Sequence, residues 1–364
     1  MFETLSQYGL SDIHLMRDET CGLQAIIAIH DTSLGPAIGG CRYLHYSSEQ
    51  AAIEDAARLA QGMSYKAALA GLPFGGGKAV IMKPETEINR ELLFTKMGDF
   101  VASLQGRYIT ALDSGSTLSD MDIMATRSAY VSSSSKIGDC SLYTAEGIYS
   151  GIKEAFQVRF ASDSIKQARI AIQGLGHVGM ALAERLYRAG VTLVVSDLDP
   201  RKTQCAQQRF KAEVVIGEEI YQQTCEVFSP CGLGGIINAG TIPHLRCAII
   251  AGAANNQLAE NSDEERLRER GILYVPDFAI NAGGLIYASM RFAGEHQAAI
   301  EEKLHALTVT IRQLLADTTD KRDQTQSPLQ AALLLAKQRI AAGQNTTTKL
   351  MPFSNHNLQA IVTG

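Results

Sequence analysis

Residues 168–200 read ARIAIQGLGHVGMALAERLYRAGVTLVVSDLDP. Ile170 to Gln173 fits a buried strand, Met180 to Tyr187 a helix, and Asp197 closes the next apolar run. Between strand and helix, Gly174, Gly176 and Gly179 spell G-x-G-x-x-G. The first glycine permits a tight turn, the second lets a pyrophosphate approach the backbone, and the third lets helix and strand pack closely. The helix N-terminus adds N–H groups and partial positive charge. Asp197, 23 residues after Gly174, suits two ribose hydroxyls and repels a 2′-phosphate, which favours NAD over NADP. The plainer alternative is a glycine-rich turn with no ligand. His177 and Val178, inside the motif, are candidate cofactor contacts, although His177 also reads as a solvent-facing position. Arg201 either softens the preference for NAD or is a solvated helix-start residue.

Outward from this unit, strand-like runs at 214–216, 227–228, 248–250 and 272–274 alternate with helical stretches. This predicts a doubly wound parallel sheet with helices on both faces. The chain from 297 to 342 reads as helix. On the N-terminal side, 23–30 fits a buried strand and Asp31 to Gly40 carries turn chemistry. A helix follows, capped by Ser48, with Ala52, Ala56, Leu59 and Met63 at helical spacing. Gly75 to Gly77 read as a turn before a strand at 78–82; a helix is expected at 90–104 and a strand at 108–111. A serine run at 132–135 and a loop to Ser141 mark a boundary. The division expected is an α/β domain at 1–140 and a dinucleotide domain at 141–334, with helices at 335–364 packing back on the first and the residues around 344–348 loosely ordered.

Composition narrows the function. A chain of 364 residues suits about two domains. A net charge of −5, with no long run of one sign, argues against nucleic acid as a partner. Seven cysteines in no C-x-x-C pair argue against a zinc ribbon, and no metal-ligand spacing occurs elsewhere. With no apolar run of 18 residues and no basic-then-apolar N-terminus, membrane and secretory readings fall away and a cytoplasmic protein is expected.

Lys66 and Lys78 flank the three glycines, 12 residues apart. Ammonium groups brought together disfavour each other's charge, and burial adds to this; a lysine so placed can act as a base near neutral pH. The alternative is a tight loop with a surface lysine. Asp113, after the strand-like YITA, is either a turn residue or a proton carrier. Cys41 follows Gly40 but lacks a sequence-adjacent partner that would activate it.

Taken together, GPAIGG (35–40), EDAARLAQGMSYKAALAGLPFGGGKAVI (54–81), RYITALDSGST (107–117), TAEGIYSGIKEA (144–155), IQGLGHVG (172–179), SPCGLGGIIN (229–238), IAGAANNQL (250–258) and PDFAINAGGLI (276–286) resemble the leucine, phenylalanine and valine dehydrogenase branch of the amino-acid dehydrogenases. The resemblance runs in family order from about residue 23 to 340. It implies two domains with the active site in the cleft between them. It also implies oxidative deamination: an L-amino acid, NAD and water give a 2-oxo acid, ammonia and NADH. By the same resemblance Lys66 binds the substrate carboxylate beside backbone N–H groups near Gly39 and Gly40. Lys78 activates the water, and Asp113 shuttles protons on the amine. Asn255 and Asn281 line the cofactor and substrate cleft, and Thr144 lies near the nicotinamide amide. Ile38, Ala111, Leu285 and Ala288 form the side-chain pocket. All four are apolar, so an acidic substrate would lose its hydration without gaining a partner; branched-chain amino acids are expected first and aromatic ones second. A homo-oligomer is also implied.

The chain departs from this pattern in places. Ser132–Ser133 stand where Thr-Gly is usual, Leu142 where proline is common, Leu112 where an acidic residue is common, and Tyr287–Ala288 where Asn and Val tend to occur. The loop at 132–141 is also shortened. A competing reading is therefore a catalytically weakened homologue that binds NAD or an amino acid as a sensor. A third is a dehydrogenase of a hydroxyl substrate.

Overall fold

The computed structural model describes residues 2–86, 88–319 and 326–345. The chain forms two compact units. The first comprises the chain up to Asp139, Ile286–Ile300 and the stretch from Ala336; the second comprises Cys140–Leu285 and Glu301–Leu335. The expectations for 346–364 lie outside the described residues.

The first unit opens with α1 (Phe2–Tyr8), β1 (Asp12–Asp18), β2 (Leu23–Asp31), β3 (Ala37–Leu44), α2 (Glu49–Leu69), β4 (Gly75–Met82), α3 (Arg90–Ser103), β5 (Tyr108–Leu112) and α4 (Leu118–Ala125). Its sheet runs β1-β2-β4-β3-β5. β2 is antiparallel to β1 and β4, and β3 is parallel to β4 and β5. Successive side chains of a strand take opposite faces. Ile26, Ala28 and Val80 therefore pack under Ala52, Ala56 and Ala60 of α2, while Ile27, Cys41, Ala79 and Ile81 join Phe94, Met97 and Tyr108 on the other face. Small residues on α2 bring that helix close to the sheet. Ser48 caps α2 through its hydroxyl, which accepts from Ala51 N at 3.1 Å.

Two expectations about glycine are corrected here. The turn chemistry of Asp31 to Gly40 holds only as far as Pro36: Ala37 onward is β3, an interior strand of the sheet. Gly75–Gly77 are not a turn, but open β4. Each position lacks room for a side chain. A Cβ on Gly76 would stand 2.1 Å from Ser64 N of α2, one on Gly77 2.7 Å from the Tyr108 ring, and one on Gly39 1.7 Å from Gly77 O. Composition suggested turns; close packing of strand against strand and helix is the reason for the glycines. β1 and α1, with weak apolar patterning, were not anticipated.

The second unit holds α5 (Ser141–Phe160), β6 (Arg169–Gln173), α6 (His177–Arg188), β7 (Thr192–Ser196), α7 (Pro200–Phe210), β8 (Glu213–Val214), β9 (Cys225–Pro230), β10 (Cys247–Ile250), α8 (Asp263–Glu269), β11 (Leu273–Tyr274) and α9 (Asp277–Ile280). The strand expected at 214–216 is only two residues long. All six strands are parallel, in the order β11-β10-β9-β6-β7-β8. The winding reverses between β6 and β9, the topological switch point at which such sheets bind ligands beyond the strands' carboxyl ends. The chain continues as α10 (Gly283–Phe292), α11 (Gln297–Thr319) and α12 (Pro328–Asn345). In the first unit the Tyr287 hydroxyl donates to Ile137 O at 2.6 Å. Arg339 of α12 donates from Nη1 to Ala68 O and Leu69 O at the end of α2, at 2.9 and 2.7 Å.

Candidate active site

The first unit's polar site is built around β3, with Gly40 beside Asp113. The registers of β3 set Gly40 level with Lys78 on β4 and with Ala111 on β5. Gly76, Lys78 and Val80 alternate with residues of the opposite core, so Lys78 shares the α2-covered face with Gly40 and Arg42. Lys78 is 5% exposed, and its Nζ bonds Asp113 Oδ2. Asp113 sits just past β5, where a Cβ on Gly40 would lie only 2.6 Å from its own Cβ. Three strands thus bring together Gly39, Gly40, Lys78 and Asp113, which are far apart in sequence.

Arg42 was not singled out in the sequence. Its Nε donates to Asp113 Oδ2 at 3.3 Å and its Nη1 to Asp55 Oδ2 of α2 at 2.8 Å. Tyr46 Oη, at 2.8 Å, and Arg58 Nη2, at 3.3 Å, complete the Asp55 carboxylate. Burial opposes the charge on Asp113, but Lys78 and Arg42 outweigh it and hold its carboxyl down at about 2. Asp55 is lowered in the same manner, with Arg42 overcoming its burial. Burial, reinforced by the Asp113 charge, pushes the neighbouring Cys41 thiol up to about 12, so Cys41 is no thiolate nucleophile.

Lys66 lies half-buried in the last turn of α2, two residues beyond the Ser64 that fills the space above Gly76. Tyr108 supports the floor by donating its hydroxyl to Gly39 O at 2.6 Å. Ile38 is fully buried, Ala288 of α10 is buried, and Ala111 and Leu285 are half-buried.

In the second unit the glycine loop joins β6 to α6. Gly174 has φ +96°, which favours glycine, and a Cβ on Gly179 would stand 2.1 Å from Gly174 O. Gly176 has no atom within 4 Å of its Cβ position. His177, the first residue of α6, is exposed, and Val178 is half-buried. Asp197 Oδ2 accepts from Leu175 N at 2.6 Å, fixing the loop. Arg201 forks onto Asp199 with bonds of 3.0 and 2.8 Å and is 88% exposed, which is the solvated helix-start reading. Lys202, not weighed in the sequence, pairs with Asp197 at 3.6 Å.

Two of the sequence motifs meet in this unit. TAEGIYSG lies on α5 and NAGG begins at the end of α9. A Cβ on Gly283 would stand 2.1 Å from Tyr143 O, one on Gly284 2.4 Å from Thr144 Oγ1, and one on Gly151 2.5 Å from Ile280 Cγ1. These glycines set Thr144 against the segment carrying Asn281. Asn281 Nδ2 donates to Asn255 Oδ1 at 2.9 Å and to Ala253 O at 3.1 Å, while its buried Oδ1 has no partner. Gln257, missed in the sequence, pins this loop by donating to Gly252 O and Ala254 O at 2.9 and 3.1 Å. Its spacing beside Asn255 held no periodic signal. Among the described residues, no group of three His, Cys, Asp or Glu could hold a metal ion.

The chain matches two family models. Residues 11–130 match the Glu/Leu/Phe/Val dehydrogenase dimerisation domain and residues 196–347 match Glutamate/Leucine/Phenylalanine/Valine dehydrogenase. It is 40% identical to leucine dehydrogenase of Thermoactinomyces intermedius, over 96% of each chain. It is 41% identical to L-tryptophan dehydrogenase of Nostoc punctiforme, over 96% of this chain and 98% of that one. The crystal structure of the latter superposes with a TM-score of 0.80 at 39% identity, covering 95% of this chain and all of the other.

Proposed function

Because this chain belongs to the Glu/Leu/Phe/Val dehydrogenase family, we propose that its Lys78–Asp113 pair carries out the proton transfers of amino-acid deamination. The protein is an NAD-dependent amino-acid dehydrogenase: an apolar L-amino acid, NAD and water become a 2-oxo acid, ammonia and NADH. The observation that carries the assignment of residues is the contact between buried Lys78 and Asp113 beside side-chain-free Gly40.

The second unit's residues fit a dinucleotide. Open Gly176 leaves room for a pyrophosphate at the start of α6, and the unpartnered Oδ1 of Asn281 offers an acceptor for an amide. Asp197 suits the ribose hydroxyls, while Asn255 accepts from Asn281 and Thr144 stands against Gly284. NAD, when bound, takes up the hydrogen and two electrons that leave Cα. The remaining work falls to the protein's side chains. Lys66 supplies a cation for the substrate carboxylate, with backbone groups near Gly39 and Gly40 beside it. Asp113 accepts a proton from the substrate ammonium and returns one to the departing ammonia. Lys78 orients the water that attacks the imine carbon and takes its proton.

By the family resemblance Ile38, Ala111 and Ala288 meet the substrate side chain; none of them offers a charge to an acidic one, and Ala111 and Ala288 are small. We rank branched-chain substrates first and aromatic ones second. One methylene changes discrimination by only about 1–3 kcal/mol in such pockets. The matched dimerisation domain supports a homo-oligomer, and seven free cysteines suit a reducing cytoplasm. No described helix is long and apolar enough to cross a membrane.

The deciding experiment follows NADH formation with each L-amino acid, beside Lys78→Ala. Turnover of a few apolar amino acids, lost in the variant by a factor of about 10² or more, is the expected result. Undiminished turnover in Lys78→Ala would remove that lysine from the mechanism.

A further inference from the structure

Two cations converge on one oxygen of Asp113. Lys78 Nζ and Arg42 Nε both bond Oδ2, whereas neither cation bonds Oδ1, which accepts from the Ser114 hydroxyl at 3.5 Å, with the Ser114 backbone N–H also on the carboxylate. Arg42 is itself held from the far side by Asp55, which Tyr46 and Arg58 hold in turn. The side chains of Arg42, Asp55 and Asp113 are only 16%, 15% and 15% exposed, so solvent screens these contacts weakly. The alternating order Lys78, Asp113, Arg42, Asp55, Arg58 runs from β4 across β5 and β3 to α2.

We propose that Arg42, anchored by Asp55, is the positioning residue of Asp113: it holds Oδ2 and leaves Oδ1 as the oxygen that exchanges protons with the substrate amine. The inference rests on the reading of Asp113 as the proton carrier. A planar fork with several donors can serve two carboxylates at once, which a lysine ammonium in this place cannot do with the same geometry. The second cation also has a chemical use. When Lys78 exchanges its proton during turnover, one of the two charges on Oδ2 changes. Arg42, raised above its usual value by Asp113 and Asp55 against the effect of burial, keeps its charge throughout. Asp113 therefore stays an anion able to accept a proton whichever state Lys78 is in.

The groups facing Asp113 are Lys78 from β4, Arg42 and Cys41 from β3, Tyr108 from β5, and the hydroxyl and backbone N–H of Ser114 beside it. Of these, Lys78 and Arg42 supply the positive charge.

The test compares Arg42→Gln, Arg42→Lys and Asp55→Asn with the unaltered chain. kcat and KM are measured across pH, and the Asp113 carboxyl is titrated by ¹³C NMR, assigned through Asp113→Asn. Arg42→Gln should move the Asp113 midpoint and the acidic limb of kcat/KM upward by about one pH unit or more. It should lower kcat by about tenfold or more, with little change in KM. Arg42→Lys should restore the position of the limb but not the full kcat, because charge returns without the fork. Asp55→Asn should lower kcat with a smaller movement of the limb. A merely structural role would lower the melting temperature and leave limb and midpoint in place; that result in Arg42→Gln overturns the proposal. If Arg42→Gln does not fold, an Arg42→Lys variant with unaltered kcat overturns it equally. An unaltered chain that turns over no amino acid refutes the functional reading instead. The carboxyl titration then decides the role of Arg42 alone: an upward midpoint in the variant supports it, and an unmoved one refutes it.

Discussion

Gly40 has no room for even a methyl group, because an added Cβ would meet Asp113 Cβ at 2.6 Å and Leu112 O at 3.2 Å. Gly40→Ala should therefore push Asp113 away from Lys78 and Arg42. Overpacking of this kind costs about 1–3 kcal/mol, and a displacement near 1 Å in a reacting group can cost about 10²-fold in rate. We expect kcat to fall by about that factor with a modest drop in melting temperature; a fully active Gly40→Ala would show that Asp113 need not stand where it does. At this scale the sequence was partly legible. Lys78 and Asp113 were legible through the family resemblance; by position alone they read equally as a surface lysine beside a tight loop and a turn residue. Arg42 was not, because its value comes from Asp113, 71 residues away, and from Asp55 on a helix. Charge pairing across strands leaves no periodic trace in one sequence. The glycines were also visible, but their reason was not: Gly76 and Gly77 are small because Ser64 and Tyr108 occupy their side-chain space.

The glycine loop between β6 and α6 separates two roles that its motif combines. Gly179 is packed, with a Cβ position 2.1 Å from Gly174 O, whereas Gly176 faces open space and has φ −67°. Gly179→Ala should destabilise the fold and weaken NADH binding together. Gly176→Ala should keep the melting temperature of the unaltered chain, since any residue can adopt its backbone, yet bind NADH more weakly because the methyl group enters the space left for a pyrophosphate. NADH fluorescence titration beside thermal unfolding measures both. Unweakened NADH binding by Gly176→Ala would mean that the dinucleotide does not approach this backbone. This element was fully legible, because strand, turn, helix and acidic residue follow one another locally. The docking of α5 on the start of α10 was not. Its glycines, Gly147 and Gly151 on one side and Gly283 and Gly284 on the other, are more than 130 residues apart in sequence, and only tertiary packing reveals why each is small. β3 was missed for a related reason: Gly39 and Gly40 carry turn propensity, but pairing in parallel on both sides overrides it.

Across the first unit, α12 supports the helix that carries Lys66. The last carbonyls of a helix lack intrahelical partners and carry partial negative charge. At the end of α2, Arg339 of α12 meets both needs, bonding Ala68 O and Leu69 O across some 270 residues of chain. Lys66 is in the turn so held, with Ala70 N donating to its carbonyl at 3.0 Å. Arg339→Ala should lose about 1–2 kcal/mol of stability, from the charged hydrogen bonds and the helix-terminus charge together. The catalytic consequence has a definite signature. A frayed α2 terminus moves Lys66, which in the proposed mechanism pairs the substrate carboxylate in ground state and transition state alike, whereas Arg339 bonds neither Lys78 on β4 nor Asp113 just past β5. Loss of such uniform binding raises KM and leaves kcat nearly unchanged. Amino-acid KM should therefore rise severalfold in Arg339→Ala with kcat within about twofold of the unaltered chain, and Arg339→Lys should recover part of the stability. An equal fall in kcat with unchanged KM would place the effect of α12 on the Lys78–Asp113 pair, and the separation of binding and proton transfer between α2 and the sheet would have to be abandoned.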